Sequence, residues 1–129
     1  MPWELDSDRP IYAQIVDRLK HEIVSGFYPP GSRLPSVRDL AAQASVNPNT
    51  MQKAFTELER TGLIVTRRTS GRTVTEDTAL IEQVRSELAE LQISQFLTRM
   101  QHLGYQKDDS IRLLLAKKEE IYIEIYYQT

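Results

Sequence analysis

The 129 residues contain no cysteine. This absence excludes disulfides and thiolate zinc sites, and it favours a reducing, cytoplasmic location. The only histidines are His21 and His102, with no clustered ligand motif around them, so we expect no metal and no cofactor. No apolar run approaches the roughly 18 residues of a membrane span. The acidic start, Met1 to Asp6, lacks the pattern of a signal peptide, so we expect no membrane association.

Sequence signs of catalysis are also missing. No serine has an evident base partner, and no glycine-rich phosphate loop follows a strand. The acidic pair Asp108 and Asp109 suits a helix start better than a catalytic pair of carboxylates. We therefore predict that the protein is not an enzyme.

The charge is unevenly distributed along the chain. The net charge is −2, yet residues 1–75 carry ten Lys/Arg against eight Asp/Glu, and residues 76–129 carry six against ten. A mildly basic first part and an acidic second part suggest two different roles. We predict domains at 1–76 and 77–129.

Helix signals recur through the first part. Asp8 is a candidate cap for a helix with Pro10 in its first turn, an apolar stripe from Ile11 to Ile23, and an end at Gly26. A capping box at Ser36–Asp39 predicts a short helix that ends near Ala44.

A second, longer helix follows a turn at Ser45 and Val46. Asn47 is its predicted cap, Pro48 its first residue and Gly62 its left-handed end. The next segment reads as a β-hairpin, with strands at 63–66 and 72–75 around a polar turn. Helix, short helix, tight turn, helix and hairpin, in that order, predict a winged helix-turn-helix.

The second part predicts helices. One helix runs from about Asp77 to Gly104, and another is capped by Asp108. For the closing stretch 121–127, the β-branched and aromatic content favours a strand, while continuation of the helix stays open. We expect this stretch to lie at a dimer interface or against the winged domain. The fold class is thus mainly α with a small β-hairpin, followed by a C-terminal helical dimerisation segment.

A 25-residue helix outside a small core has little else to bury its apolar face, so we expect a second copy to cover it, although the face could also pack back on its own domain. The predicted dimerisation residues are Ile81, Val84, Leu88, Leu91, Phe96, Met100, Ile111 and Leu114.

The start of the third helix has the side chains that read base edges. Amides can pair bidentately with adenine, lysine can donate to guanine, and a threonine methyl can pack on thymine. A helix N-terminus beside a guanidinium favours phosphate, and arginines at a narrow hairpin tip suit the DNA backbone or minor groove. The predicted DNA-binding residues are Arg33, Ser36, Arg38, Asn47, Asn49, Thr50, Gln52, Lys53, Arg67, Arg68, Ser70, Gly71 and Arg72.

Each of these residues also has a simpler interpretation. Asn47 could serve only as a cap, Arg38 could pair with an acid, and the wing arginines could be merely solvated. A winged helix can also be a protein–protein adaptor that binds no DNA. The basic wing and the polar helix start argue against that alternative.

Several ordered motifs resemble the GntR family of DNA-binding domains. They are residues 10–15 (PIYAQI), 30–41 (PGSRLPSVRDLA), 46–55 (VNPNTMQKAF) and 58–64 (LERTGLI). The short helical tail, with Leu103-Gly104-Tyr105 before the last helix, resembles the YtrA subfamily.

The resemblance implies a homodimeric regulator, most often a repressor, that binds a palindromic double-stranded DNA operator. A small-molecule effector of unknown identity is left open. In the family the wing usually reads Gly-x-Gly, whereas Thr69 stands here in place of the first glycine. Relatives often carry arginines where this chain has Pro48 and Gln52, which implies a different operator.

Overall fold

The computed structural model describes the backbone of residues 3–128 and the side chains of residues 3–118. The chain divides into two compact units, Met1–Ser86 and Glu87–Thr129. Its elements are α1 (Ile11–Val24), α2 (Val37–Ala44), α3 (Pro48–Arg60), β1 (Ile64–Arg67), β2 (Gly71–Val74), α4 (Thr78–His102) and α5 (Lys107–Gln128).

The core of the first unit lies among α1, α2 and α3. Ile15 and Leu19 from α1, Leu40 from α2, and Phe55 and Leu58 from α3 are all completely buried. The buried residues of α3 repeat every three or four positions, which is the pattern of an amphipathic helix with one face in the core. This packing fixes α3 by one face and leaves its other face to solvent.

Two of the predicted helix caps are confirmed. The Ser36 hydroxyl accepts a hydrogen bond from the backbone amide of Asp39 at 3.0 Å. The Asn47 side-chain oxygen accepts from the amide of Asn49 at 2.7 Å, with Pro48 in the first helical position. Both side chains satisfy amides that would otherwise have no partner within the helix.

The predicted cap of α1 is wrong. Pro10, not Asp8, occupies the N-cap position, and no side chain caps this end. Instead, the Gln14 amide nitrogen donates to the Asp6 carbonyl at 2.7 Å, and the Gln14 side-chain oxygen accepts from the Asp6 amide at 2.7 Å. A tertiary contact from within the helix thus orders the preceding segment, which makes a local cap unnecessary.

The hairpin pairs β1 with β2 in antiparallel register, from Ile64 opposite Val74 to Arg67 opposite Gly71. The other edge of β2 receives the segment before α2, which the sequence did not predict. The amide of Leu34 donates to the Arg72 carbonyl, and the amide of Val74 donates to the Ser32 carbonyl, both at 2.9 Å. These bonds hold the approach to α2 beside the wing.

The first turns of α4 belong to the first unit. Ile81 is only 3% exposed in the single chain. The Arg85 Nε donates to the Val24 carbonyl at the end of α1 at 2.9 Å. The prediction that Ile81 lies at a subunit interface is therefore corrected, since it is part of this core. The compact unit ends after Ser86 rather than after residue 76.

In the second unit, Gly104 has a positive φ of 99° just after α4. The carboxylate of Asp109 accepts from the amide of Gln106 at 3.0 Å, so the predicted capping role of Asp108 is corrected. No helix in the described part of the chain is long and apolar enough to cross a membrane.

Helix α5 continues to Gln128, so the strand predicted for residues 121–127 is wrong. Helix propagation adds one hydrogen bond per residue after a costly start, so an existing helix can extend through residues of modest propensity. The expectation that the side chains of this stretch lie at an interface falls outside the described residues.

Candidate nucleic-acid interface

The exposed face of α3 carries the predicted base-reading residues. Asn47, Asn49, Gln52 and Lys53 are exposed, and Thr50 is half-buried. They cover the first turns of a helix whose opposite face is fixed in the core. A helix held in this way can present its N-terminal end to a major groove.

Lys53 is oriented by a residue that the sequence analysis did not select. Its Nζ lies 3.9 Å from the centre of the Tyr12 ring on α1. Such a cation–π contact contributes about 0.5–1 kcal/mol at an exposed site. Both residues line an open groove of about 640 Å³ together with Asn49 and Thr50. The apolar stripe of α1 in the sequence gives no sign that Tyr12 contacts α3.

The start of α2 offers unpaired donors. Arg33 and Arg38 are exposed, and within the described residues the side chain of neither forms a hydrogen bond or an ion pair. Arg38 lies in the first turn of α2, beside the Ser36 cap. A helix N-terminus and a free guanidinium together can bind one phosphate.

A groove of about 530 Å³ runs between this helix start, α3 and the wing, and Tyr28 is among its lining residues. Burial raises the pKa of the Tyr28 phenol, Glu22 raises it further, and Arg18 opposes both. The phenol therefore stays protonated at neutral pH and keeps its hydrogen-bond donor.

The wing tip is a three-residue turn, 68–70, with Gly71 immediately after it at φ 72°. Among the described non-glycine residues only Ser45 has a positive φ, so the conformation of Thr69 requires no glycine. Arg67 and Arg68 at the tip are exposed, and Ser70 is half-buried. The tip can thus form without the first glycine of the Gly-x-Gly pattern, and it presents two arginines.

Arg72 differs from the other wing arginines because it is bonded within the protein. Its Nε donates to the Glu59 carboxylate at 2.6 Å, and its Nη2 lies 3.4 Å from the Gln52 side-chain oxygen. The guanidinium carbon is also 5.3 Å from the centre of the Phe55 ring. The structure therefore brings Arg72 together with both Gln52 and Glu59, and sequence reasoning had not selected Glu59.

The described part of the chain contains no group of three His, Asp or Glu side chains placed to hold a metal. What the surface offers is amides, hydroxyls and cations on three adjoining elements: the start of α2, α3 and the wing. Such groups can bind base edges and phosphates.

Comparison with known proteins agrees with this chemistry. The model of "Bacterial regulatory proteins, gntR family" matches residues 11–74. The HTH-type transcriptional repressor YtrA of Bacillus subtilis is 39% identical over 102 residues, which cover 78% of this chain and 78% of YtrA.

Two solved structures extend the comparison. A GntR family transcriptional regulator from Listeria monocytogenes aligns with a TM-score of 0.79 and 41% identity, over 87% of this chain and 98% of that one. AraR(DBD), solved in complex with an operator, aligns with a TM-score of 0.50 and 26% identity, over 58% of this chain and 92% of that one. The matched family consists of regulators rather than enzymes. The chain belongs to the GntR family of bacterial transcriptional regulators and carries its helix-turn-helix DNA-binding domain.

Proposed function

We propose that the protein is a transcriptional repressor that binds, as a homodimer, an operator with two-fold symmetry. The observation that carries the proposal is the exposed start of α3, where Asn49, Gln52 and Lys53 face solvent while Met51 and Phe55 anchor the helix. Such a helix can enter a major groove without unpacking the core.

The interface residues divide into two groups by chemistry. The amides and the lysine of α3 suit base edges, which carry sequence information. Arg33, Ser36 and Arg38 near α2, with Arg67 and Arg68 at the wing tip, suit phosphates or the minor groove. The likeness to AraR(DBD), solved in complex with an operator, supports DNA binding by this surface.

The homodimer is supported by apolar side chains that the single chain leaves in water. Leu91 on α4 is 53% exposed, Leu103 after α4 is 73% exposed, and Leu114 on α5 is 52% exposed. Large apolar side chains left in water favour an interaction site, and a second copy would cover them. The remaining predicted interface residues are Val84, Leu88, Phe96 and Met100, all half-buried, and Ile111, which is exposed.

Two-fold pairing through the second units would place two α3 helices on one face of the DNA. The half-sites would then be separated by about one helical turn, roughly 34–36 Å. The repressor role rests on the likeness to the repressor YtrA. Because the operator is chromosomal DNA, we place the protein in the cytoplasm. The small-molecule effector stays a prediction from the sequence.

The test is selection of bound sequences from random duplex DNA with the purified full-length chain. We expect an enriched palindrome, and a complex with two chains per duplex by light scattering. Arg112→Gln, a change in the second unit away from α3, is the matched control and should enrich the same palindrome. A folded protein that enriches no sequence at low salt would overturn the proposal, as would one chain per duplex.

A further inference from the structure

We propose that Glu59 and Arg72 are positioning residues that fix the orientation of the Gln52 carboxamide before DNA binds. The inference rests on the proposed function, because it concerns how the α3 face reads its operator. It removes Arg72 from the predicted phosphate contacts and gives it, with the unselected Glu59, a role in sequence preference.

The geometry is a chain of four side chains that joins the wing to α3. Glu59 accepts from Arg72 Nε at 2.6 Å, and Arg72 Nη2 donates to Gln52 Oε1 at 3.4 Å. Gln52 Nε2 then donates to Thr56 Oγ1 at 3.3 Å. The Thr56 hydroxyl donates in turn to the Gln52 backbone carbonyl at 3.0 Å.

The donors and acceptors in this series of hydrogen bonds are consistent in only one direction. A guanidinium donates hydrogen bonds and cannot accept them, so the oxygen of the amide must face Arg72. The hydroxyl proton of Thr56 is already given to a backbone carbonyl, so Thr56 accepts from the amide nitrogen. Reversing the Gln52 amide would place its NH₂ group against the guanidinium. Both neighbours therefore select the same orientation.

Gln52 keeps enough bonding capacity to read a base in that orientation. Its oxygen can accept two hydrogen bonds and its nitrogen can donate two, and the chain uses one of each. One acceptor site and one donor remain, which is what a bidentate pair with adenine N6 and N7 needs. Arg72 and Thr56 thus fix the orientation of the Gln52 amide and leave one donor and one acceptor free for a base.

The bond to Arg72 also explains why a carboxylate can lie near the proposed DNA-binding surface. A free carboxylate near DNA would repel phosphates, but this one bonds Arg72, and both side chains are only about 30% exposed. The ion pair also crosses from α3 to β2, and Arg72 packs over Phe55 in the core. The Arg72 guanidinium is therefore held by Glu59 and Phe55, and its Nη2 faces Gln52.

The experiment first finds the operator base pair that Gln52 reads. Wild-type protein and Gln52→Ala are titrated against a set of operators with single base-pair changes, and the position whose preference Gln52→Ala removes is the reporter. Glu59→Gln and Arg72→Lys are then measured on the same set. Gln keeps the shape of Glu59 without its charge, and Lys keeps the charge of Arg72 without its fork.

Both variants should lower the preference at the reporter position by about three- to tenfold, the equilibrium effect of one net hydrogen bond. Preferences at other positions and the slope of affinity against salt should not change. Adding Glu59→Gln to Gln52→Ala should cause no further loss at the reporter, because Glu59 acts there only through Gln52. Arg60→Lys, on the same helix but paired with Glu57 and not with Gln52, is the matched control and should leave the reporter preference intact.

A second readout needs no DNA. The side-chain NH₂ resonances of Gln52, identified by their loss in Gln52→Ala, should shift in Glu59→Gln and in Arg72→Lys but not in Arg60→Lys. Unchanged melting temperatures would show that the variants remain folded.

Each contrary result has its own meaning. Arg72→Lys that weakens all sequences equally and makes the salt slope shallower would make Arg72 a phosphate contact and overturn the inference. If Glu59→Gln strengthened binding to every sequence, Glu59 would act only by repelling DNA phosphates, and this result would also overturn the inference. If the wild type selects an operator but Gln52→Ala changes no preference, the inference fails while the proposed function stands. A wild type with no operator preference defeats both.

Discussion

At the residue scale, the cations of the candidate interface differ in what already holds them. Arg72 is tied to Glu59, and Lys53 lies against the Tyr12 ring. Arg38 and the tip arginine Arg68 are exposed, and their side chains have no bonded partner among the described residues, so their full donor capacity is available. Free guanidiniums suit phosphates, which require charge and reach rather than a fixed direction.

Arg38→Ala should therefore weaken binding to all duplexes about equally. Loss of one phosphate contact per subunit should make the slope of log affinity against log salt shallower by about one per subunit. Fluorescence anisotropy at several salt concentrations measures this slope. Arg112→Ala removes a cation that pairs with Asp109 in the second unit and should leave the slope unchanged. An unaltered slope for Arg38→Ala would rule out its phosphate role.

At the element scale, α3 depends on a cap that also lies at the candidate interface. Asn47→Ala should lower the free energy of unfolding by about 1 kcal/mol, because the amide of Asn49 loses its partner. Asn47→Asp keeps the cap and should keep the stability, yet its carboxylate should repel DNA. Denaturant unfolding and operator titration of the two variants separate the roles. If Asn47→Asp bound operator normally, Asn47 would be a cap only.

The turn of the wing depends on one residue with a left-handed backbone conformation, Gly71. A Cβ at Gly71 would meet nothing closer than Arg33 Nε at 3.7 Å, so the cost of Gly71→Ala comes from its φ of 72°. We expect that variant to lose about 1–2 kcal/mol of unfolding free energy. Gly71→Asn, which tolerates this conformation better, should lose less. Equal losses in chemical denaturation would contradict this account of the turn.

The elements were largely predictable because their signals are local. Ser36 and Asn47 cap helices through bonds to residues two or three positions away, and Gly62 ends α3 with a positive φ as expected. Two of the features that were missed or misplaced involve contacts made across the fold. The Glu59–Arg72 pair spans 13 positions, and no periodic pattern marks it. Ile81 repeats in register with the tail residues, yet it is buried in the first unit.

At the scale of the whole molecule, the second unit is a pair of helices that leaves much apolar surface uncovered. Within the described residues, Ser110 is completely buried there, while Ile111, Leu113 and Leu115 are all more than 40% exposed. The mean hydropathy of the chain is −0.43, so this surface is not explained by a generally apolar sequence. Burial against a second copy would account for it.

Leu114→Glu should therefore dissociate the dimer. Placing a carboxylate in an apolar interface costs several kcal/mol, so the dimer dissociation constant should rise by more than about a hundredfold. Sedimentation velocity measures it directly. Ala116→Glu adds the same charge to the same helix, at an exposed position outside the predicted interface residues, and should leave the dimer intact.

The same variant also tests whether pairing and DNA reading are coupled. A monomer engages one half-site at a time and loses the gain in effective concentration that the second half-site provides. Affinity for the full palindrome should then fall to the value measured for an isolated half-site, while base preference within that half-site stays the same. If monomeric Leu114→Glu kept full affinity for the palindrome, the second unit would have some role other than pairing two chains on the operator.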